Sequence, residues 1–99
     1  VVIGANPAGN HPVAATYIKQ AAKRGAKLIV MDPRGTALKR HARHVLQFRP
    51  GTDVALLNAM LHVIIAEERY DAAFVRERTE GFESLRDRVA EFTPEAMQQ

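Results

Sequence analysis

Two short apolar runs flanking a helical stretch constrain the fold more than any other feature of this chain. Val1-Val2-Ile3 stops at Gly4, and Leu28-Ile29-Val30-Met31 stops at Asp32-Pro33. Both are rich in β-branched residues, the pattern of strands buried on both faces of a parallel sheet. Between them Ala14, Tyr17, Ile18, Ala21 and Ala22 recur at helical spacing, with Lys19, Gln20, Lys23 and Arg24 on the opposite side. Pro12 suits the first helical position and Gly25 the left-handed stop. A strand, a helix and a second strand joined by short connections form a right-handed crossover between parallel strands in nearly all cases.

Downstream, Thr36 to His41 has the makings of a short helix and Val45 to Phe48 of a third strand. Thr52 then caps a long helix, with Asp53 in its first turn and a wide apolar face made by Val54, Leu57, Met60, Leu61, Ile64 and Ile65. Asp71 is placed to cap a helix carrying Phe74 and Val75, which Gly81 is expected to terminate. Leu85, Val89 and Phe92 mark a further amphipathic helix, and no strand pattern follows Phe48. The expected fold is α/β: a Rossmann-like parallel sheet of about three strands with flanking helices, an α/β core over 1–69 and a helical extension over 70–99. At 99 residues the whole is expected to form one domain. Val1 lies within a strand pattern and Thr93-Pro94-Glu95 opens a helix at the other end, so the chain is expected to be a segment of a longer protein.

The chain contains no cysteine, which excludes disulfides, thiolate metal sites, Cys-ligated iron–sulfur clusters and Cys nucleophiles within it. No apolar run is long enough to span a bilayer, and neither membrane contact nor nucleic-acid binding is expected of this segment. The formal charge of +3 favours anionic partners only mildly. Lys39, Arg40, Arg43 and Arg49 cluster around two of the loops described next, where they can serve a phosphate or form a solvated basic stretch.

Three polar loops follow the three strand patterns: Gly4 to Pro12, Met31 to Thr36, and Arg49 to Asp53. Loops leaving the carboxyl ends of neighbouring parallel strands line one crevice, the usual ligand site of an open α/β sheet. The G-x-G-x-x-G fingerprint is absent, since the first loop offers only Gly4 and Gly9. A helix start there still presents unpaired N–H groups to an anion. Asp32, at the end of the second strand, can accept two hydrogen bonds from vicinal hydroxyls or a guanine edge, or can simply close an Asx turn with Pro33. Asn6 and Asn10 can shape the loop or touch a ligand. His11 stands at a helix N-cap where Ser, Asp or Asn is the commoner choice. Arg34 offers a planar fork for phosphate or carboxylate, or a surface ion pair. Thr52 and Asp53 are accounted for by capping, with ligand contact as an added role. His41, His44 and His62 complete no metal set, and no catalytic constellation is visible. The chemistry legible here is binding.

Taken in order, these motifs resemble the molybdopterin oxidoreductase family, and within it the large (alpha) subunits of formate dehydrogenases. The resemblance runs through Gly4-Ala5-Asn6-Pro7 with His11-Pro12-Val13, then Arg24-Gly25-Ala26-Lys27-Leu28-Ile29-Val30 into Asp32-Pro33-Arg34. It continues through Arg49-Pro50-Gly51-Thr52-Asp53-Val54-Ala55-Leu56 to Phe74-Val75 and Thr79-Glu80-Gly81-Phe82. It implies a molybdopterin guanine dinucleotide cofactor carrying molybdenum or tungsten. Gly4, Ala5, Asn6 and His11 would lie at the phosphates and pterin side of one dinucleotide. Asp32, Pro33 and Arg34 would hold the guanosine end, and Gly51, Thr52 and Asp53 would contact the same nucleotide. Two positions depart from the family pattern: Gly9 stands where Glu is frequent, and Gly35 where a second Arg often follows Asp-Pro-Arg. The metal ligand and a [4Fe–4S] cluster would lie outside this segment, which would hold no catalytic residue. Formate oxidation to carbon dioxide is the reaction implied for the parent enzyme. The implied partners are the remaining domains of the same polypeptide and iron–sulfur electron-transfer subunits. The implied compartment is the cytoplasm, the periplasm also being used in the family.

Two other readings stay open on sequence. One is a binding domain for NAD or a related dinucleotide, resting on the strand–helix–strand order and Asp32. The other is a non-catalytic α/β interaction module whose loops merely cap strands, since one α/β scaffold hosts many functions.

Overall fold

The computed structural model describes residues 1–98; Gln99, the last residue of the expected helical extension, lies outside the described residues. The chain divides into two compact units, 1–50 and 51–99. The long helix assigned above to the α/β core clusters instead with the helices that follow it.

The first unit is a three-stranded parallel sheet in the order β1 (Val2–Ile3), β2 (Ile29–Met31), β3 (His44–Leu46). Val2 faces Val30 and Ile3 faces Met31 across the first pair; Val30 faces Val45 and Met31 faces Leu46 across the second. β2 is the buried centre, with Val30 and Met31 almost fully enclosed. β1 is only half-buried and β3 exposed, so the expectation of strands covered on both faces holds for β2 alone. The third strand begins at His44 and ends before Gln47, earlier than its apolar residues indicate, because pairing to β2 rather than hydrophobicity fixes its register.

Two helices connect β1 to β2: a single turn, α1 (Pro7–Asn10), and α2 (Pro12–Lys23). α1 is absent from the sequence reading, where four residues with Pro, Gly and Asn carry no periodicity. Pro7 nevertheless sits at its first position, and the Asn6 carbonyl accepts the N–H groups of Gly9 and Asn10. α2 begins at Pro12 as expected. Its inner stripe is Ala15, Ile18 and Ala22, which differs from the predicted face: Ala14 and Tyr17 are exposed. Small Ala15 is fully buried, whereas bulky Tyr17 is exposed. Ile18 and Ala22 pack with Leu28, Val30 and Leu38, the last from a 3-10 turn at Ala37–His41. α2 ends in a Schellman motif: Ala26 N–H reaches Ala21 O at 3.0 Å and Gly25 N–H reaches Ala22 O at 3.1 Å, with Gly25 at φ 104°.

The second unit holds α3 (Asp53–Ala66), α4 (Ala72–Arg78), α5 (Phe82–Val89) and a closing 3-10 turn (Ala96–Gln98). Ala59 of α3 and Val89 of α5 are its buried residues, and the His62 ring is 3.0 Å from the Val89 carbonyl. A carbonyl only accepts, so His62 Nδ1 carries the proton and donates. Val54, Leu57 and Ile64 are exposed, contrary to the well-packed apolar face expected of α3. Asp71 caps α4 by accepting the Phe74 N–H at 2.9 Å, as expected. Gly81 does not end α4, which stops at Thr79; it is the N-cap of α5. Thr93 Oγ1 accepts the Ala96 N–H at 3.2 Å, the capping that Thr-Pro-Glu indicates.

Candidate functional site

The site is built on the carboxyl edge of the sheet in the first unit. Because Ile3 pairs with Met31, the next residues, Gly4 and Asp32, leave adjacent strands side by side. Two bonds fasten this edge: Gly4 N–H to Met31 O at 2.9 Å, and Asp32 N–H to Leu46 O at 3.1 Å. Gly4 turns the chain out of β1 at φ +61°, a conformation costly for residues with a Cβ. Ala5 and Asn6 then lead into α1, and His11 leads into α2.

His11 occupies the α2 N-cap, but its side chain makes no cap hydrogen bond and is exposed. Its N–H donates to Pro7 O at 2.9 Å, while its carbonyl accepts from Ala15 N–H at 2.9 Å. Pro12 has no N–H to satisfy, so the helix start presents the Val13 and Ala14 N–H groups without a side-chain cap. This is the polarity and geometry that suit a phosphate. Asn6 sits behind that loop with its Oδ1 buried and unpartnered. Its Nδ2 lies 3.0 Å from the point a Cβ would occupy on Gly9, so Gly9 gives the carboxamide room.

Asp32 is 4% exposed, and its Oδ1 accepts the Arg34 N–H at 2.7 Å, an Asx turn across Pro33. The capping reading of Asp32 therefore describes the fold. It leaves the carboxylate with further acceptor capacity, so a ligand role remains compatible with it. Arg34 Nε is 3.8 Å from the same oxygen, while the Arg34 side chain is 81% exposed, a loose ion pair. Thr36 is buried with its hydroxyl unpartnered. Two unsatisfied buried oxygens, Asn6 Oδ1 and Thr36 Oγ1, thus belong to the two loops of this edge. Such groups are uncommon in finished interiors, where each costs about 1–3 kcal/mol, and they fit a region that a polar ligand completes.

The structure brings Gly4, Ala5, Asn6 and His11 to the same sheet edge as Asp32, Pro33 and Arg34. Gly51, Thr52 and Asp53 open the second unit: Thr52 is the N-cap of α3, its carbonyl accepting Leu56 N–H at 3.0 Å, and Asp53 is in the first turn. A depression of about 500 Å³ in that unit, lined by Tyr70, Val75, Arg76, Thr79 and Phe82 among others, includes none of the predicted site residues. Among the described residues no group of His, Asp and Glu could hold a metal ion. Among the described residues no helix is long and apolar enough to cross a membrane. Sequence reasoning missed Thr36 and the buried disposition of Asn6, because orphaned oxygens follow from packing and carry no residue-type signature.

This arrangement can be set beside known proteins. The family model for molybdopterin oxidoreductases matches residues 1–93. The chain is 48% identical over 97 residues to formate dehydrogenase H of Escherichia coli, covering 98% of this chain and 14% of that protein. It is 46% identical over 95 residues to the F420-dependent formate dehydrogenase subunit alpha of Methanocaldococcus jannaschii, covering 96% of this chain and 14% of that one. Among solved structures, acetylene hydratase from Pelobacter acetylenicus superposes with a TM-score of 0.85 at 40% identity, over 97% of this chain and 14% of its own. The chain thus spans about one-seventh of the length of each of these relatives. With the match running through both loops of the sheet edge, the chain belongs to the molybdopterin oxidoreductase family.

Proposed function

We propose that this chain is a segment of a formate dehydrogenase-like enzyme that binds one molybdopterin guanine dinucleotide. The observation that carries the reading is the pairing of Gly4 and Asp32 on adjacent strand ends, with the uncapped start of α2 beside them. The Val13 and Ala14 N–H groups would hold a phosphate, with Gly4, Ala5, Asn6 and His11 shaping the approach. Asp32 would accept hydrogen bonds from the guanosine end, and Pro33 and Arg34 would frame it. Gly51, Thr52 and Asp53 are assigned to the same nucleotide by the family resemblance. When bound, the cofactor supplies the two-electron redox chemistry of its molybdenum or tungsten.

The residues of this chain would orient the dinucleotide and neutralise its charge, the usual protein contribution to such chemistry. Formate as the substrate of the parent enzyme is supported by two formate dehydrogenases that align across 96% and 98% of the chain. The acetylene hydratase match shows one fold serving a differently named activity, so fold alone does not select the substrate. A [4Fe–4S] cluster, iron–sulfur electron-transfer subunits and the remaining domains of the polypeptide complete the proposed assembly.

The test is Asp32→Asn in the full-length enzyme. Asn keeps an oxygen that can accept the Arg34 N–H, so the turn survives while the charge is lost. Molybdenum or tungsten content and formate oxidation should fall together while the protein retains its folded secondary structure. Full metal content in that variant contradicts the role.

A further inference from the structure

Charge is divided unevenly between the two units. Residues 1–50 carry nine lysines and arginines against one acidic residue, Asp32, whereas residues 51–99 carry five against ten. The one carboxylate of the first unit lies beside Arg34 at the carboxyl edge of the sheet. Four of the cations gather at the opposite, amino edge. Arg43 N–H donates to Leu28 O at 2.8 Å, which sets Arg43 beside Lys27 where β3 and β2 begin. Lys27 in turn follows the Schellman motif that closes α2 after Lys23 and Arg24. Arg43 thus lies away from the loops with which its sequence neighbours group it. All four side chains are exposed, and among the described residues none of them forms an ion pair. Attraction to the carbonyl end of α2 accounts for Lys23 and Arg24, but not for Lys27 or Arg43.

We propose that the amino edge of the sheet is an electrostatic docking surface for a separate protein with a face rich in Asp and Glu. Charge complementarity names the partner, because the first unit places no carboxylate at this edge to neutralise the cluster. No exposed large hydrophobic residue lies between Lys23 and His44. The surface therefore lacks the apolar centre of a permanent interface and suits a transient, charge-steered encounter. The same stretch has no aromatic side chain on which bases could stack, which favours a protein over a single-stranded nucleic acid. The length of β2, about 10 Å, separates this edge from the Asp32 turn, so the surface is independent of the dinucleotide reading.

The experiment uses the full-length enzyme, with a fluorescent oligoglutamate peptide as the probe and anisotropy as the readout. Lys23→Gln, Arg24→Gln, Lys27→Gln and Arg43→Gln combined should weaken peptide binding by about tenfold, the joint worth of several exposed charge contacts. The salt dependence of binding should become shallower in that variant. Lys23→Arg, Arg24→Lys, Lys27→Arg and Arg43→Lys combined should retain the affinity. Arg76→Gln, Arg78→Gln, Arg86→Gln and Arg88→Gln combined remove the same charge from the second unit and should leave peptide binding close to wild type. Wild-type affinity in the first Gln variant overturns the proposal. Equal losses in the two Gln variants also overturn it, because net charge and not this edge would then be the cause. Duplex DNA or phosphatidylserine vesicles held more tightly than the peptide, and released by the first four Gln substitutions, overturn the assignment to an acidic protein.

Discussion

Asp32 holds Arg34 twice: its Oδ1 accepts the Arg34 backbone N–H at 2.7 Å and lies 3.8 Å from the Arg34 Nε. The first contact is structural, because it closes the turn that carries the chain off β2. The second is loose, because the guanidinium is mostly in water. The carboxylate thus fixes the loop and leaves the arginine fork available. This separates two roles that a single alanine substitution would confound. Asp32→Ala should lose about 1–3 kcal/mol of stability by leaving the Arg34 N–H without its partner. Asp32→Asn should keep most of that stability. Denaturant unfolding of both variants, with midpoints compared, checks the difference.

The ends of α2 and α3 make a matched comparison. Both close in a Schellman motif, α3 with Arg69 N–H to Ile64 O at 2.9 Å and Glu68 N–H to Ile65 O at 3.1 Å. The left-handed position is Gly25 in α2 but Glu68, at φ 52°, in α3. A side chain there is disfavoured. Glu68→Gly should therefore stabilise the end of α3 by about 0.5–1 kcal/mol, and Gly25→Ala should destabilise α2 by a similar amount. Amide hydrogen exchange of the last turn of each helix reads both effects.

His62 joins α3 to α5 through its donation to the Val89 carbonyl. His62→Ala removes that donor and part of the packing around Val89, which is 2% exposed. The expected cost is about 1–3 kcal/mol, seen as a lower unfolding midpoint and faster exchange of α5 amides. Metal content should not follow, because His62 lies in neither loop of the sheet edge. A loss of metal at unchanged stability would contradict its purely structural role.

Asp71 is the clearest side-chain cap in the chain, accepting Phe74 N–H at 2.9 Å. Asp71→Ala should cost about 1 kcal/mol, and Asp71→Ser should recover most of it. Helix protection in α4 by hydrogen exchange distinguishes the three proteins.

Much of this architecture was legible because it is written in local chemistry. Pro12 and Gly25 bracket α2, Asp71 caps α4, and the apolar run ending at Asp32 locates the central strand. What escaped depends on partners distant in sequence. The inner stripe of α2 runs through fully buried Ala15, and Tyr17 lies on the exposed side. The third strand takes its limits from pairing with Ile29–Met31. Gly81 reads equally as a stop or a start, and only the φ +76° turn into Phe82 decides. At the site, the loops and Asp32 were visible as residue types in order. The buried, unpartnered oxygens of Asn6 and Thr36 were not, since they follow from packing rather than residue type.

We propose that the start of α2 and the Asp32 turn together hold the dinucleotide. Amide hydrogen exchange of the full-length protein, with and without its molybdopterin cofactor, tests it most directly. Strong protection on cofactor loading is expected at Gly4, Val13, Ala14 and Arg34, with the α4 amides little changed. Unchanged exchange at Val13, Ala14 and Arg34 in fully loaded protein would contradict it.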